Sequence, residues 1–310
     1  MHRLILALLL LATPAMAQNR IVVGFAAGGT ADLIARLIAE GVAPHLGGRP
    51  LVENRTGANG MLAVEYVARG PADGSVLFQC PMGTMTILPN LPGANLPLDP
   101  RGLSAVANIA LSTYAAVTGA RSEYRSMADV VAAARARPGA ITYASAGAGS
   151  AQHLTGARLA AMAGVTLTHV PYRGAAQAVP DMIALRTDFM VTNMGDVMGQ
   201  LRGGELRLLA VGDALGSPLF PGAPQLSAAI PGLEVAGWFG LCGPPAMPEA
   251  AKQRWGMAVE RALADPALRQ RLLENGLTPS FEGAAAFAAR ISRDGLAWTQ
   301  AIQAAGVRAE

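Results

Sequence analysis

Two glycine-rich turns hold most of the residues in this chain that could touch a ligand. The first runs Ile21-Val22-Val23-Gly24-Phe25-Ala26-Ala27-Gly28-Gly29-Thr30-Ala31-Asp32. The second runs Ile141-Thr142-Tyr143-Ala144-Ser145-Ala146-Gly147-Ala148-Gly149-Ser150-Ala151-Gln152-His153. Each opens with a short apolar, β-prone run, bends through glycine, and meets a predicted helix cap, Thr30 or Ser150. A helix start carries unpaired backbone N–H groups and the positive end of the helix dipole. Glycine lets a ligand come close to the backbone. Two such turns facing each other would hold a small anion, such as a carboxylate, with few charged side chains.

The candidate ligand contacts follow from this. The first turn offers Phe25, Ala27, Gly28, Gly29 and Asp32. The second offers Ser145, Gly147, Gly149, Ser150 and His153. Thr84, Tyr172 and Asn193 stand after other predicted strands and extend the set. Each has a structural alternative. Gly28 and Gly29 could simply make a tight turn. Asp32 falls in the first helical turn, where an acid suits the dipole as well as a ligand donor would. His153 could bond the backbone beside the cap.

The patterns that catalysis needs are missing from the sequence. Tyr143 stands two residues before Ser145, so there is no Gly-x-Ser-x-Gly elbow. No His-Glu-x-x-His run or paired-cysteine spacing offers a metal site. The first turn is not Gly-x-Gly-x-x-Gly, so no nucleotide cofactor is expected. The expectation is a binding protein with no cofactor and no metal. The rivals are an exported two-lobed α/β hydrolase, which would need a serine and histidine in contact with a partner acid, and a protein that presents its ligand to a membrane sensor.

Composition narrows the setting. The net charge is +3, with Lys252 the one lysine among scattered arginines. Scattered charge argues against a nucleic-acid surface. Arg3, the apolar run Leu4 to Ala12, and Ala15-Met16-Ala17 read as a signal peptide over 1–17, cleaved after Ala17. The apolar run is too short to span a membrane comfortably. A periplasmic, monomeric protein is expected. About 290 residues remain after cleavage, one large or two medium domains. Cys80 and Cys242 could pair in an exported chain, but two separately buried thiols are the expectation.

The elements that must position the turns alternate. Strands are predicted at 21–25, 50–54, 75–79, 106–118, 141–145, 167–171, 187–192, 206–212 and 234–242. Helices are predicted at 31–44, 59–69, 127–137, 151–163, 174–185, 194–202, 248–264, 266–275 and 283–304. Alternation points to α/β architecture. The apolar runs at 21–23, 76–78 and 208–211 suit parallel strands covered on both faces. The segment 80–105 reads as a long connection. The long runs 106–118 and 234–242 read as crossings between two α/β lobes. Lobe 1 then comprises 18–118 plus 240–310, and lobe 2 comprises 119–239.

An ordered series of segments carries a family resemblance. It begins with the first turn, Val23 to Asp32. It continues with Val52-Glu53-Asn54-Arg55-Thr56-Gly57-Ala58-Asn59-Gly60 and Pro71-Ala72-Asp73-Gly74. After the second turn come His169-Val170-Pro171-Tyr172-Arg173-Gly174, Gly237-Trp238-Phe239-Gly240-Leu241 and Ala264-Asp265-Pro266. The chain resembles the Bug family, the extracytoplasmic solute receptors of tripartite tricarboxylate transporters. The resemblance implies a type II periplasmic-binding-protein fold, with two lobes closing on a small carboxylate held by the glycine turns. It also implies membrane transporter subunits as partners. The chain departs from the family where prolines usually stand, at Gly24, Ala26, Ala27 and Thr56. It also has Thr192-Asn193 where an acidic residue is common.

Overall fold

The computed structural model describes residues 18–213 and 216–306. The expected signal peptide at 1–17 lies outside the described residues. The chain opens with β1 (Arg20–Val23), α1 (Thr30–Leu46), β2 (Leu51–Asn54), α2 (Met61–Ala68) and β3 (Val76–Pro81). The three strands are parallel, with β1 between β2 and β3. Side chains of β1 alternate between two cores. Val22 packs with α2, while Ile21 and Val23 pack with α1. Helix α1 buries Ile34, Leu37, Ile38 and Val42 and exposes Arg36, Glu40 and His45, as its spacing predicts. Gly47 ends it in the left-handed conformation at φ 75°.

One strand then organises the rest. β4 (Ser104–Gly119) is 16 residues long. After it come α3 (Met127–Ala136), β5 (Thr142–Ser145), α4 (Ala151–Ala163), β6 (Thr168–Pro171) and α5 (Ala175–Ile183). Next are β7 (Phe189–Asn193), α6 (Met194–Arg202), β8 (Leu206–Val211) and the short α7 (Leu226–Ala229). The chain finishes with β9 (Ala236–Gly243), α8 (Glu249–Ala264), α9 (Pro266–Leu273), β10 (Leu277–Gly283) and α10 (Ala284–Ala305). The sheet order is β2-β1-β3-β9-β4-β7-β5-β6. The first part of β4 pairs with β9 and β10, and its last part pairs with β7 and β8. A single strand therefore runs from the β1–β3 side to the β5–β7 side. The glycine turn after β1 and the one after β5 leave the same type of strand end, where ligands bind in α/β sheets.

The structure corrects several expectations. β8 is apolar as predicted but antiparallel to β4. β10 was not foreseen, because Pro279 interrupts its pattern and its register shifts between Pro279 and Glu282. The short α7 was also not foreseen. The segment 80–105 is not one open connection. It begins inside β3 and includes a wide helical turn at 83–87 and tighter turns at 88–90 and 100–102.

Cys80 and Cys242 form a disulfide, with Cα atoms 5.9 Å apart. The expectation of separate thiols fails because β3 and β9 are antiparallel neighbours, which sets the two residues diagonally across the pair. Their sequence separation of 162 closes the whole excursion through β5–β7 into one covalent loop. Closing a long loop restricts the unfolded chain most. The double substitution Cys80→Ser, Cys242→Ser is therefore expected to cost about 2–4 kcal/mol in urea unfolding. A loss below about 0.5 kcal/mol would mean that the cross-link adds nothing to the sheet.

Candidate functional site

The turn after β1, the exit of β3, the turn after β5 and the middle of β9 converge on one cleft. Tyr114, Gly237, Trp238 and Phe239 line its floor. Phe25, Gly29, Thr30 and Thr84 line one wall, and Ser150, Ala151, Gln152, Asn193 and Asp196 the other. The empty volume is about 560 Å³, counting space open to solvent. An outer groove shares Phe25, Asn59 and Ala146 with it and continues past Gly147, Tyr172 and Arg173.

The start of α4 is wired by its own turn. Ser150 is the N-cap as expected, and its hydroxyl accepts from the His153 amide at 3.2 Å. The Gly149 amide donates to His153 Nδ1 at 3.0 Å, and the Ser150 amide donates to the Gly147 carbonyl at 3.1 Å. Gly149 sits at φ 77° and Gly147 at φ 132°, conformations that suit glycine. The His153 ring stacks on His169 with centroids 4.0 Å apart, and Ser145 Oγ lies 2.6 Å from His169 Nε2. Ser145, Gly149 and His153 thus shape the turn and are not among the residues lining the cleft. Ala151 and Gln152 do line it. As the first two helical residues, their N–H groups have no acceptor within the helix.

The start of α1 differs from expectation. Its N-cap is Gly29, and Thr30 is the first helical residue. The Thr30 amide and hydroxyl both donate to Asp196 Oδ1, each at 2.7 Å. The other Asp196 oxygen accepts from the Thr192 hydroxyl and from Asn193 Nδ2 at 3.4 Å. A carboxylate of the chain itself therefore occupies this helix start, which displaces Thr30 from the cap role. Asp32 is not among the residues that line the cleft. It accepts from Arg36 twice at 2.9 Å, from Asn54 at 3.0 Å and from the Gly28 amide at 3.1 Å. Burial alone would push its carboxyl up, but these bonds outweigh it and hold the carboxyl below the ordinary range.

The remaining candidates divide. Thr84 is fully buried, lines the cleft and donates to the Asn59 carbonyl at 3.1 Å. Asn193 lines it too, with Oδ1 accepting from Ser112 at 2.8 Å. The Tyr172 hydroxyl donates to Asp181 at 2.7 Å, and its pKa is pushed up to about 12 by burial and then by that carboxylate. Ala27 and Gly28 are exposed beside the cleft and do not line it.

Sequence reasoning missed two residues. Asp196 stands one helical turn beyond the strand-end position where an acid was sought. Asn59 adopts φ 51°, and both polar atoms of its side chain are buried with no partner among the described residues. Its Nδ2 lies 3.7 Å from where a Cβ on Gly149 would stand, so the amide faces the second turn. A signal for Asn59 lay in Gly57-Ala58-Asn59-Gly60, where asparagine tolerates the left-handed conformation.

Comparison with known proteins settles the family. The chain matches the "Tripartite tricarboxylate transporter family receptor" over residues 34–307. It belongs to that family. It is 33% identical over 258 residues to the UPF0065 protein in the tcbD-tcbE intergenic region of a Pseudomonas species, covering 83% of this chain and 76% of that protein. Among solved structures, Rpa4515 of R. palustris with adipate has a TM-score of 0.90 at 29% identity, covering 94% and 98% of the two chains. MatC of Rhodopseudomonas palustris with bound malate has a TM-score of 0.86 at 25% identity, covering 92% and 99%. The fold of this family receptor is the mixed α/β fold of periplasmic solute-binding proteins.

The second turn yields a test. A Cβ on Gly149 would stand 2.9 Å from Leu88 Cδ1, whereas one on Gly47, at nearly the same φ, meets nothing within 4 Å. Urea unfolding should show Gly47→Ala losing about 1 kcal/mol from backbone strain alone. Gly149→Ala should lose about 2 kcal/mol or more, because crowding adds to strain. Equal losses would mean that the turn does not pack closely on Leu88.

Proposed function

We propose that this receptor captures a small organic carboxylate in its cleft and delivers it to a tripartite tricarboxylate-type membrane transporter. The observation that carries the reading is the second turn. Two helix-start residues, Ala151 and Gln152, line the cleft together with Asn59, whose buried side-chain amide has no hydrogen-bond partner among the described residues. Together they offer a carboxylate several hydrogen-bond donors and a favourable dipole. The relatives solved with adipate and malate support the class of ligand.

The protein works in the periplasm as a monomer, with the leader removed after Ala17. Its two lobes are 18–118 plus 240–310, and 119–239. They close by hinge motion at β4 and β9. Contacts between the two proposed lobes, such as Thr30 with Asp196 and Trp298 with Arg158, are of the kind that closure would make. Trp238 sits at this crossing. Its Nε1 donates to Asp294 at 2.9 Å and its ring meets Phe287 edge-on.

The receptor does not turn its ligand over. The contact between Ser145 and His169 has the geometry a hydrolase would use. Ser145 is nevertheless fully buried, and neither residue lines the cleft. A ligand that binds only the folded state raises the melting temperature with its concentration. A panel of small organic acids is therefore expected to contain at least one that raises Tm in a saturable way and is recovered unchanged by mass spectrometry. Titration of that acid should change tryptophan emission in the parent and not in Trp238→Phe. Hydrolysis of an ester or amide panel at a useful rate, or no acid stabilising the fold, would overturn this reading.

A further inference from the structure

Among the described residues lining the cleft, Asp196 is the only one with a formal charge. No lysine, arginine or histidine stands beside it there. Its carboxylate is about nine-tenths buried and fixed by donors from α1, from β7 and from its own helix start. It also sits tightly on the turn, since a Cβ on Gly29 would lie 3.3 Å from Oδ1. The first glycine turn thus has its anion already, and that anion is not the ligand's.

This charge reaches into the cleft. Tyr114, on the floor, has its phenol held well above the usual range, by burial first and by Asp196 second. The same field acts on any anion placed at that end, and a ligand that fills the cleft and displaces its water would feel it with less screening. Arg173 lines the outer groove and is not among the residues that line this cleft.

We propose that Asp196 sets the ligand class. The cleft takes a carboxylate at the start of α4, and the group at the α1 end is neutral or cationic. The natural ligand is then a monocarboxylate, such as an amino acid or a monoamide, and not a compact di- or tricarboxylate. This inference rests on the carboxylate-receptor reading above. It departs from the diacid ligands of the adipate- and malate-bound relatives, and it is argued from the acid at position 196 of this chain, seated on Thr30.

Matched probes separate the two readings. Succinate, succinamate and 3-aminopropanoate form one series, and adipate, its monoamide and 5-aminopentanoate another. Each series changes one terminal group at nearly constant length. Calorimetric titration of the mature protein should show the monoamide or amino acid of at least one series binding at least tenfold more tightly than its diacid. Asp196→Asn keeps an acceptor for Thr30 while removing the charge, and should shrink that ratio to about threefold or less. Asp196→Ser serves if the asparagine variant does not fold. Diacids that bind as tightly as their monoamides in the parent would overturn the inference and leave the carboxylate receptor standing. So would a preference that survives removal of the charge. If no probe binds the folded parent or the variants, while a broad non-acid panel yields a ligand, the receptor reading itself fails, and this inference with it.

Discussion

Two helices begin inside the same cleft, and their unpaired amides must find acceptors. That requirement governs the site more than any single side chain does. At α1 the chain meets it internally, with Asp196 accepting from the amide and hydroxyl of Thr30. At α4 the cap Ser150 and the ring of His153 satisfy the amides of His153 and Gly149. Ala151 and Gln152 line the cleft, and as the first two helical residues their amides have no acceptor within the helix. The difference between the two helix starts leaves the cleft with free donors at one end and a carboxylate of its own at the other.

The sheet makes this possible. β4 is long enough to pair with β9 and β10 at one end and with β7 and β8 at the other. It brings the turn after β1 opposite the turn after β5. The disulfide between β3 and β9 fastens the sheet beside that crossing. The Asp196–Thr30 contact spans 166 residues of sequence and ties α6 to α1. Removing its charge would leave Thr30 with a buried, poorly paired amide unless an acceptor replaced it.

Much of the architecture was legible in the sequence, because apolar runs and helical stripes are local. The stripe Ile34, Leu37, Ile38, Val42 places α1, and Ser126 with Asp129 forms the capping box that starts α3. Strand direction was less legible. Leu208-Leu209-Ala210-Val211 reads as a strand buried on both faces, and only the pairing with β4 makes it antiparallel. The disulfide was illegible for the same reason, since it depends on which strands become neighbours. Within the site, the turns were found from their glycines, and Ser150 from its cap position. The roles of Asp32 and Tyr172 were not. Their partners Arg36, Asn54 and Asp181 are polar residues whose geometry no spacing fixes. Asp196 and Asn59 were missed because each acts on a turn distant in sequence.

The central claim is that the two helix starts are not equivalent. A crystal structure of the mature protein with the acid it binds most tightly tests this directly. The account predicts a ligand carboxylate within hydrogen-bond distance of the Ala151 and Gln152 amides, with Asp196 still accepting from Thr30. A ligand carboxylate seated on the Thr30 amide, with Asp196 turned away, would contradict it.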